Sequence, residues 1–124
     1  MTDSVTVTTV VRALPAAAFD LFTAQIDAWW SRGPLYRDRE TVRFEGGRLL
    51  QGEAELGRVL AWEPGVRLLL AWQAGTEVEI RFTAVGDSTR VTVEHRGLPQ
   101  RGAAFRSETG LWWARLLAAL TSAA

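Results

Sequence analysis

Thr76-Glu77-Val78-Glu79-Ile80-Arg81-Phe82-Thr83-Ala84 is the stretch that decides the fold. Val78, Ile80 and Phe82 alternate with Glu77, Glu79 and Arg81, so the segment reads as a β-strand with one apolar face turned to an interior and one charged face turned to water. The segment Val91-Thr92-Val93-Glu94-His95-Arg96 repeats the pattern, with Val91, Val93 and His95 on one face and Thr92, Glu94 and Arg96 on the other. The single histidine of the chain is therefore expected to point inward. Val66, Leu68, Leu70 and Trp72 form a third inward row, and Val42 with Phe44 a fourth. Alternation does not assign residues 58–63, because Leu60 and Trp62 oppose Val59 and Ala61 and both faces are apolar.

Turn chemistry between these runs sets their number. Gly46-Gly47 separates residues 41–45 from 48–51 as a hairpin would, and residues 52–57 form a looser connection. Pro64-Gly65 fits the central positions of a type II turn between 58–63 and 66–73, while Ala74-Gly75 and Gly86-Asp87 bound the next two strands. Gly97-Leu98-Pro99 reads as a loop. Residues 5–12, rich in β-branched side chains, add an N-terminal strand. The expectation is seven strands, mostly antiparallel because the connections are short.

Pro15 suits the first turn of a short helix over 16–22, since its missing N–H is not needed there. A second short helix over 24–30 ends at Gly33-Pro34. Near the C-terminus Phe105, Thr109, Trp112, Leu116 and Leu120 recur at helical spacing, with Trp113 and Leu117 widening the stripe, which predicts one long amphipathic helix over about 102–122. Gly110 lies inside that helix at a cost of about 1 kcal/mol relative to alanine. Two readings account for it: close approach of a ligand or a bend over a cavity mouth, or tight packing against the first strand.

Composition narrows the function classes. A length of 124 residues points to one domain spanning 1–124. Arginine supplies every basic side chain, and 14 basic residues balance 14 acidic ones, so no surplus exists for a phosphate backbone and no nucleic-acid partner is expected. The absence of cysteine removes disulfides, thiolate metal sites and cysteine nucleophiles. Neither a signal-peptide pattern nor an apolar run of membrane-spanning length occurs, so a cytoplasmic location without membrane insertion is the expectation. One histidine with no His-Glu-x-x-His or calcium-loop spacing predicts no metal, and the lack of a glycine-rich phosphate loop predicts no cofactor. Leu60 or Leu69 on the outer face is a candidate homodimer contact.

Six tryptophans stand against one tyrosine. Trp29-Trp30, Trp62, Trp72 and Trp112-Trp113 fall near the ends of elements, and each buried indole N–H needs a partner. That grouping favours an aromatic-lined pocket over a dry core.

Local sequence supports a family likeness. Phe19 to Trp30 ending in the double tryptophan, Phe44-Glu45-Gly46-Gly47-Arg48, Gly57-Arg58-Val59-Leu60-Ala61-Trp62-Glu63-Pro64, Arg67 to Trp72 and Val93-Glu94-His95 together resemble bacterial proteins of the activator-of-Hsp90-ATPase-like branch of the START-related superfamily. The resemblance covers nearly the whole chain. It departs in the last helix, where Leu111 stands between Gly110 and Trp112, and in strands and a final loop that are short for the family. What it implies is an α+β helix-grip fold: a seven-strand antiparallel sheet wrapped around a long C-terminal helix, two short helices after the first strand, and a ligand cavity between sheet and last helix. It does not imply one activity.

The candidate lining is then Trp30 from the second helix; Phe44, Leu70, Trp72, Ile80, Phe82, Val93 and His95 from the sheet; and Phe105, Thr109, Trp112 and Leu116 from the last helix. The leading expectation is binding of a small apolar or lipid-like molecule there. The rival is a cyclase or hydrolase-like enzyme using His95, although Glu94 points to the opposite face and no triad with geometry can be drawn. A third reading, a chaperone-associated interaction module, follows only from the family's name.

Overall fold

The computed structural model describes residues 3–30, 40–98 and 103–124. In chain order the elements are β1 (Asp3–Val11), α1 (Pro15–Phe22), α2 (Ile26–Trp30), β2 (Val42–Glu45), β3 (Arg48–Gln51), β4 (Ala54–Glu63), β5 (Arg67–Trp72), a 3₁₀ turn (Gln73–Gly75), β6 (Glu77–Val85), β7 (Ser88–Leu98) and α3 (Ala103–Ala123). The strands form one antiparallel sheet in the order β1-β7-β6-β5-β4-β3-β2, so every neighbour from β2 to β7 is consecutive and β1 closes the far edge against β7. This is the expected helix-grip arrangement. The proposed helix stop at Gly33-Pro34, the start of the last helix at Gly102, and Pro99 lie outside the described residues.

The register explains which side chains meet. Val59, Leu70, Val78, His95 and Val5 stand side by side across five strands, and Trp62, Leu68, Ile80, Val93 and Val7 form the next inner row. α1 and α2 cover one end of this face, and the apolar stripe of α3, Trp113, Leu116, Leu117 and Leu120, packs with it into a continuous core. Pro64-Gly65 makes the anticipated type II turn, with Gly65 at φ 73° and the Val66 N–H donating to the Glu63 carbonyl at 2.9 Å. Val66 itself lies at that turn and is exposed, which removes it from the inward row.

Two bulges sit on β4. Between Val59 and Ala61 the pairing with β5 skips one position, leaving Leu60 unpaired and 53% exposed on the outer face. The extra residue inverts the alternation, so Val59 and Trp62 both point inward, and this is why period-2 alternation does not assign residues 58–63. A second shift between Leu49 and Leu50 on β3 leaves Leu56 without a partner. Strand β4 thus begins at Ala54, earlier than the looser connection expected over 52–57, and β7 runs through Gly97 to Leu98 in place of the expected loop.

Gly110 is decided by space. A Cβ built there would lie 3.2 Å from Val5 Cγ1, so α3 packs tightly on β1 at this point. The hydroxyls of Thr9 and Thr121, 2.9 Å apart, tie the same pair of elements near the other end of the helix.

On the outer face the charged residues form a ladder. Glu79 is only 7% exposed and accepts from Arg67 at 2.8 Å, from Arg81, and from Arg96 at 3.5 Å. The Arg67 hydrogen bond holds its carboxyl below the usual carboxylate range, against the opposing effect of burial.

Candidate functional site

Between the N-terminal half of α3 and strands β3, β4, β5 and β7 lies a cleft of about 450 Å³ lined by Trp30, Gln51, Leu56, Trp72, Gln73, His95, Phe105, Glu108, Thr109 and Trp112. A smaller recess past the 3₁₀ turn shares Trp72, Gln73, His95, Phe105 and Thr109 with it and reaches Thr76 and Leu98.

Each wall has a local cause. On β5 Trp72 pairs with Gly57, and a Cβ at position 57 would fall 3.0 Å from the Trp72 ring and 2.8 Å from the Ala71 carbonyl oxygen. Only glycine lets the indole lie flat over β4. The bulge opposite Leu49 re-aims Leu56 into the cleft. Trp30 closes the α2 side, its indole N–H donating to Gln51 Oε1 at 3.3 Å. Trp112 meets Trp30 edge to face with ring centroids 6.2 Å apart, and Trp113 edge to face at 4.6 Å. Thr109 donates back to the Phe105 carbonyl at 3.0 Å, which leaves its oxygen free to accept.

His95 sits at the base of the cleft in a fixed tautomer. Trp113 Nε1 donates to His95 Nδ1 at 3.1 Å, and an indole nitrogen can only donate, so Nδ1 carries no proton. The proton of the neutral ring is therefore on Nε2, which donates to Thr76 Oγ1 at 2.9 Å, and Thr76 in turn donates to the Gln73 carbonyl at 2.8 Å. Burial pushes the imidazole down to about 4 from 6.5. This chain of donors fastens α3 to β7 and to the 3₁₀ turn. In that turn Ala74 adopts φ 58°, ψ 30°, a left-handed conformation unusual for alanine.

One donor is left over. The indole N–H of Trp112 is buried and has no hydrogen-bond partner, alone in this among the buried side-chain polar atoms of the described residues. An unpaired buried N–H costs on the order of 1–3 kcal/mol, a cost that an acceptor brought by a bound molecule would relieve.

Of the residues proposed from sequence, Trp30, Trp72, His95, Phe105, Thr109 and Trp112 come together at the cleft. Leu70, Ile80, Phe82, Val93 and Leu116 lie in the closed core behind it. Phe44 stands elsewhere, edge to face with Trp62 at 5.4 Å, beside a separate recess of about 420 Å³ that also touches Phe19, Asp20 and Arg43. Sequence reasoning missed Gln51, Leu56, Gln73 and Glu108. Helical spacing could have found Glu108, which stands three residues after Phe105 and four before Trp112 on the same side of the helix. Among the described residues no group of His, Asp or Glu side chains is placed to hold a metal, and no helix is long and apolar enough to cross a membrane.

The sequence profile described as Activator of Hsp90 ATPase homolog 1-like protein matches residues 12–124, and the chain belongs to that family. No curated protein matches the sequence. Among solved structures, CalU16 from Micromonospora echinospora is similar at 26% identity and a TM-score of 0.71, over 94% of this chain and 73% of that one. The Aha1 dimer from Colwellia psychrerythraea shares the fold at 16% identity and a TM-score of 0.75, over 98% and 95%. DynU16, from the dynemicin biosynthetic locus, shares it at 21% identity and a TM-score of 0.73; the match covers 97% of this chain and 46% of that one.

Proposed function

We propose that this member of the family binds a small, largely apolar molecule in the cleft between α3 and the sheet, and that binding rather than bond-making is its activity. The observation that carries the reading is an aromatic-walled cleft of about 450 Å³, lined by Trp30, Trp72, Phe105 and Trp112. Such a volume falls within the roughly 300–1,000 Å³ common for small-molecule sites, where a few polar groups orient an apolar body. The state of His95 supports the same reading over acid–base catalysis. Its Nδ1 lone pair is taken by Trp113 and its Nε2 proton by Thr76, so a proton could be exchanged with substrate only after one of these two bonds is broken.

The test is titration of the neutral fluorescent probe N-phenyl-1-naphthylamine into wild type and Trp112→Ala, both verified as folded by circular dichroism. Affinity should fall about ten-fold or more in the variant, the equivalent of losing roughly 1.4 kcal/mol of contact. Equal affinities would remove the cleft as the site. Native mass spectrometry of protein purified from its own host would then show which molecule occupies it.

Self-association is a second proposal, favoured by Leu60 standing out from the sheet at the β4 bulge. It is supported by one structural relative having been solved as a dimer. Sedimentation of wild type and Leu60→Arg tests it: wild type is expected to dimerise and the variant to remain monomeric.

A further inference from the structure

We infer that the cleft selects molecules whose apolar body carries a positively charged amine or quaternary ammonium group; this deepens the binding reading above and rests on it. The walls present the rings of Trp30, Trp72, Phe105 and Trp112, and the one formally charged side chain among the described lining residues is Glu108. The faces of aromatic rings are electronegative and attract cations, indole most strongly. A carboxylate at the edge of such a group adds to the attraction for a cation and repels an anion.

What is missing from the walls points the same way. Every basic residue of the chain is arginine, yet among the described residues none lines the cleft. Arg58 on β4, next to the Trp72 pairing partner Gly57, is turned outward and bound to Glu55 at 3.2 Å. On α3, Arg106 and Arg115 are exposed. His95 is neutral, with both nitrogens engaged. Glu108 has no ion-pair partner among the described residues. Among the described lining residues a carboxylate or phosphate headgroup would find no counter-charge. An ammonium group would find a negative side chain together with several aromatic rings.

Three probes of matched shape separate charge from shape: 3-phenylpropyl-trimethylammonium, its uncharged tert-butyl carbon analogue, and 3-phenylpropylsulfonate. Each is titrated into wild type and Glu108→Gln while intrinsic tryptophan fluorescence is followed. The cation should bind wild type about ten-fold more tightly than the neutral analogue, and the sulfonate most weakly. In Glu108→Gln, a substitution at an exposed position with the fold to be verified by circular dichroism, the cation should lose several-fold while the neutral analogue is unchanged. Equal binding of cation and neutral analogue, or preference for the sulfonate, overturns the charge selection and leaves the apolar-cleft reading standing. Failure of all three to bind, with N-phenyl-1-naphthylamine also failing, overturns both. A cation preference that survives intact in Glu108→Gln overturns the part assigned to the carboxylate.

Discussion

The two tryptophan pairs, Trp29-Trp30 and Trp112-Trp113, are split in the same way by the fold. Trp29 and Trp113 are sealed in the core, and each has a firm acceptor: the Leu21 carbonyl at 2.8 Å and His95 Nδ1 at 3.1 Å. Their neighbours Trp30 and Trp112 face the cleft, where Trp30 holds only a longer bond to a glutamine side chain and Trp112 holds none. Adjacent identical residues thus do different work. The core indoles use their N–H to fix helices to their surroundings, whereas the Trp112 N–H is buried without an acceptor.

That contrast can be broken most directly by truncation. Trp113→Ala should destabilise the protein by about 3–5 kcal/mol, the cost of removing a buried tryptophan. Trp112→Ala, at a half-buried position without a hydrogen bond to lose, should cost about half of that or less. Chemical denaturation measures both, and equal losses would erase the distinction between core and cleft indoles. Trp113→Phe sharpens the comparison by keeping most of the ring while deleting the N–H. It should cost about 1–3 kcal/mol, because Nδ1 of His95 is left as a buried acceptor without a donor. A loss no larger than that of Trp112→Phe would mean the His95 bond contributes nothing.

Acid should act on the core member of the pair as well. The folded imidazole titrates near 4 against 6.5 for a free one. On lowering the pH the unfolded chain takes up the proton first. The stability contributed by neutral His95 is therefore whole above about 6.5 and drains away as pH falls toward about 4. Denaturation midpoints across that window should decline for wild type and flatten in His95→Gln; parallel profiles would show that another group is responsible. The smallest effect is expected on the outer face of the sheet. Glu79→Gln weakens the Arg67, Arg81 and Arg96 ladder without touching either pair, and with the arginines partly solvated, screening holds the cost to about 1 kcal/mol or less.

Much of this molecule could be read from period and turn chemistry. Alternation in Val78, Ile80 and Phe82 names the inner face correctly, and Pro64-Gly65 marks its turn, because both depend on a few neighbouring residues. The order of elements and the family likeness follow. Alternation fails where a bulge inserts a residue, as at Leu60, since a period-2 pattern carries no sign of where pairing skips. Leu56 was invisible for the same reason.

The division between cleft and core was hidden by a different cause. Leu70 and Trp72 share one face of one strand, but Leu70 is closed over by the core while Trp72 borders the open part of α3. Periodicity says which way a side chain points; how far a helix covers it depends on packing between elements distant in sequence. The polar walls Gln51, Gln73 and Glu108 carried no apolar signal at all.

The bulge at Leu60 has a consequence for chain length. Removing that residue would join Val59 to Ala61, and the pairs Val59 with Leu70, Ala61 with Leu69 and Trp62 with Leu68 would all survive in regular register. A one-residue deletion normally turns every following side chain to the wrong side of a sheet. Here it would straighten the strand and leave Trp62 facing inward, so β4 carries a spare position that a deletion can use without scrambling the fold.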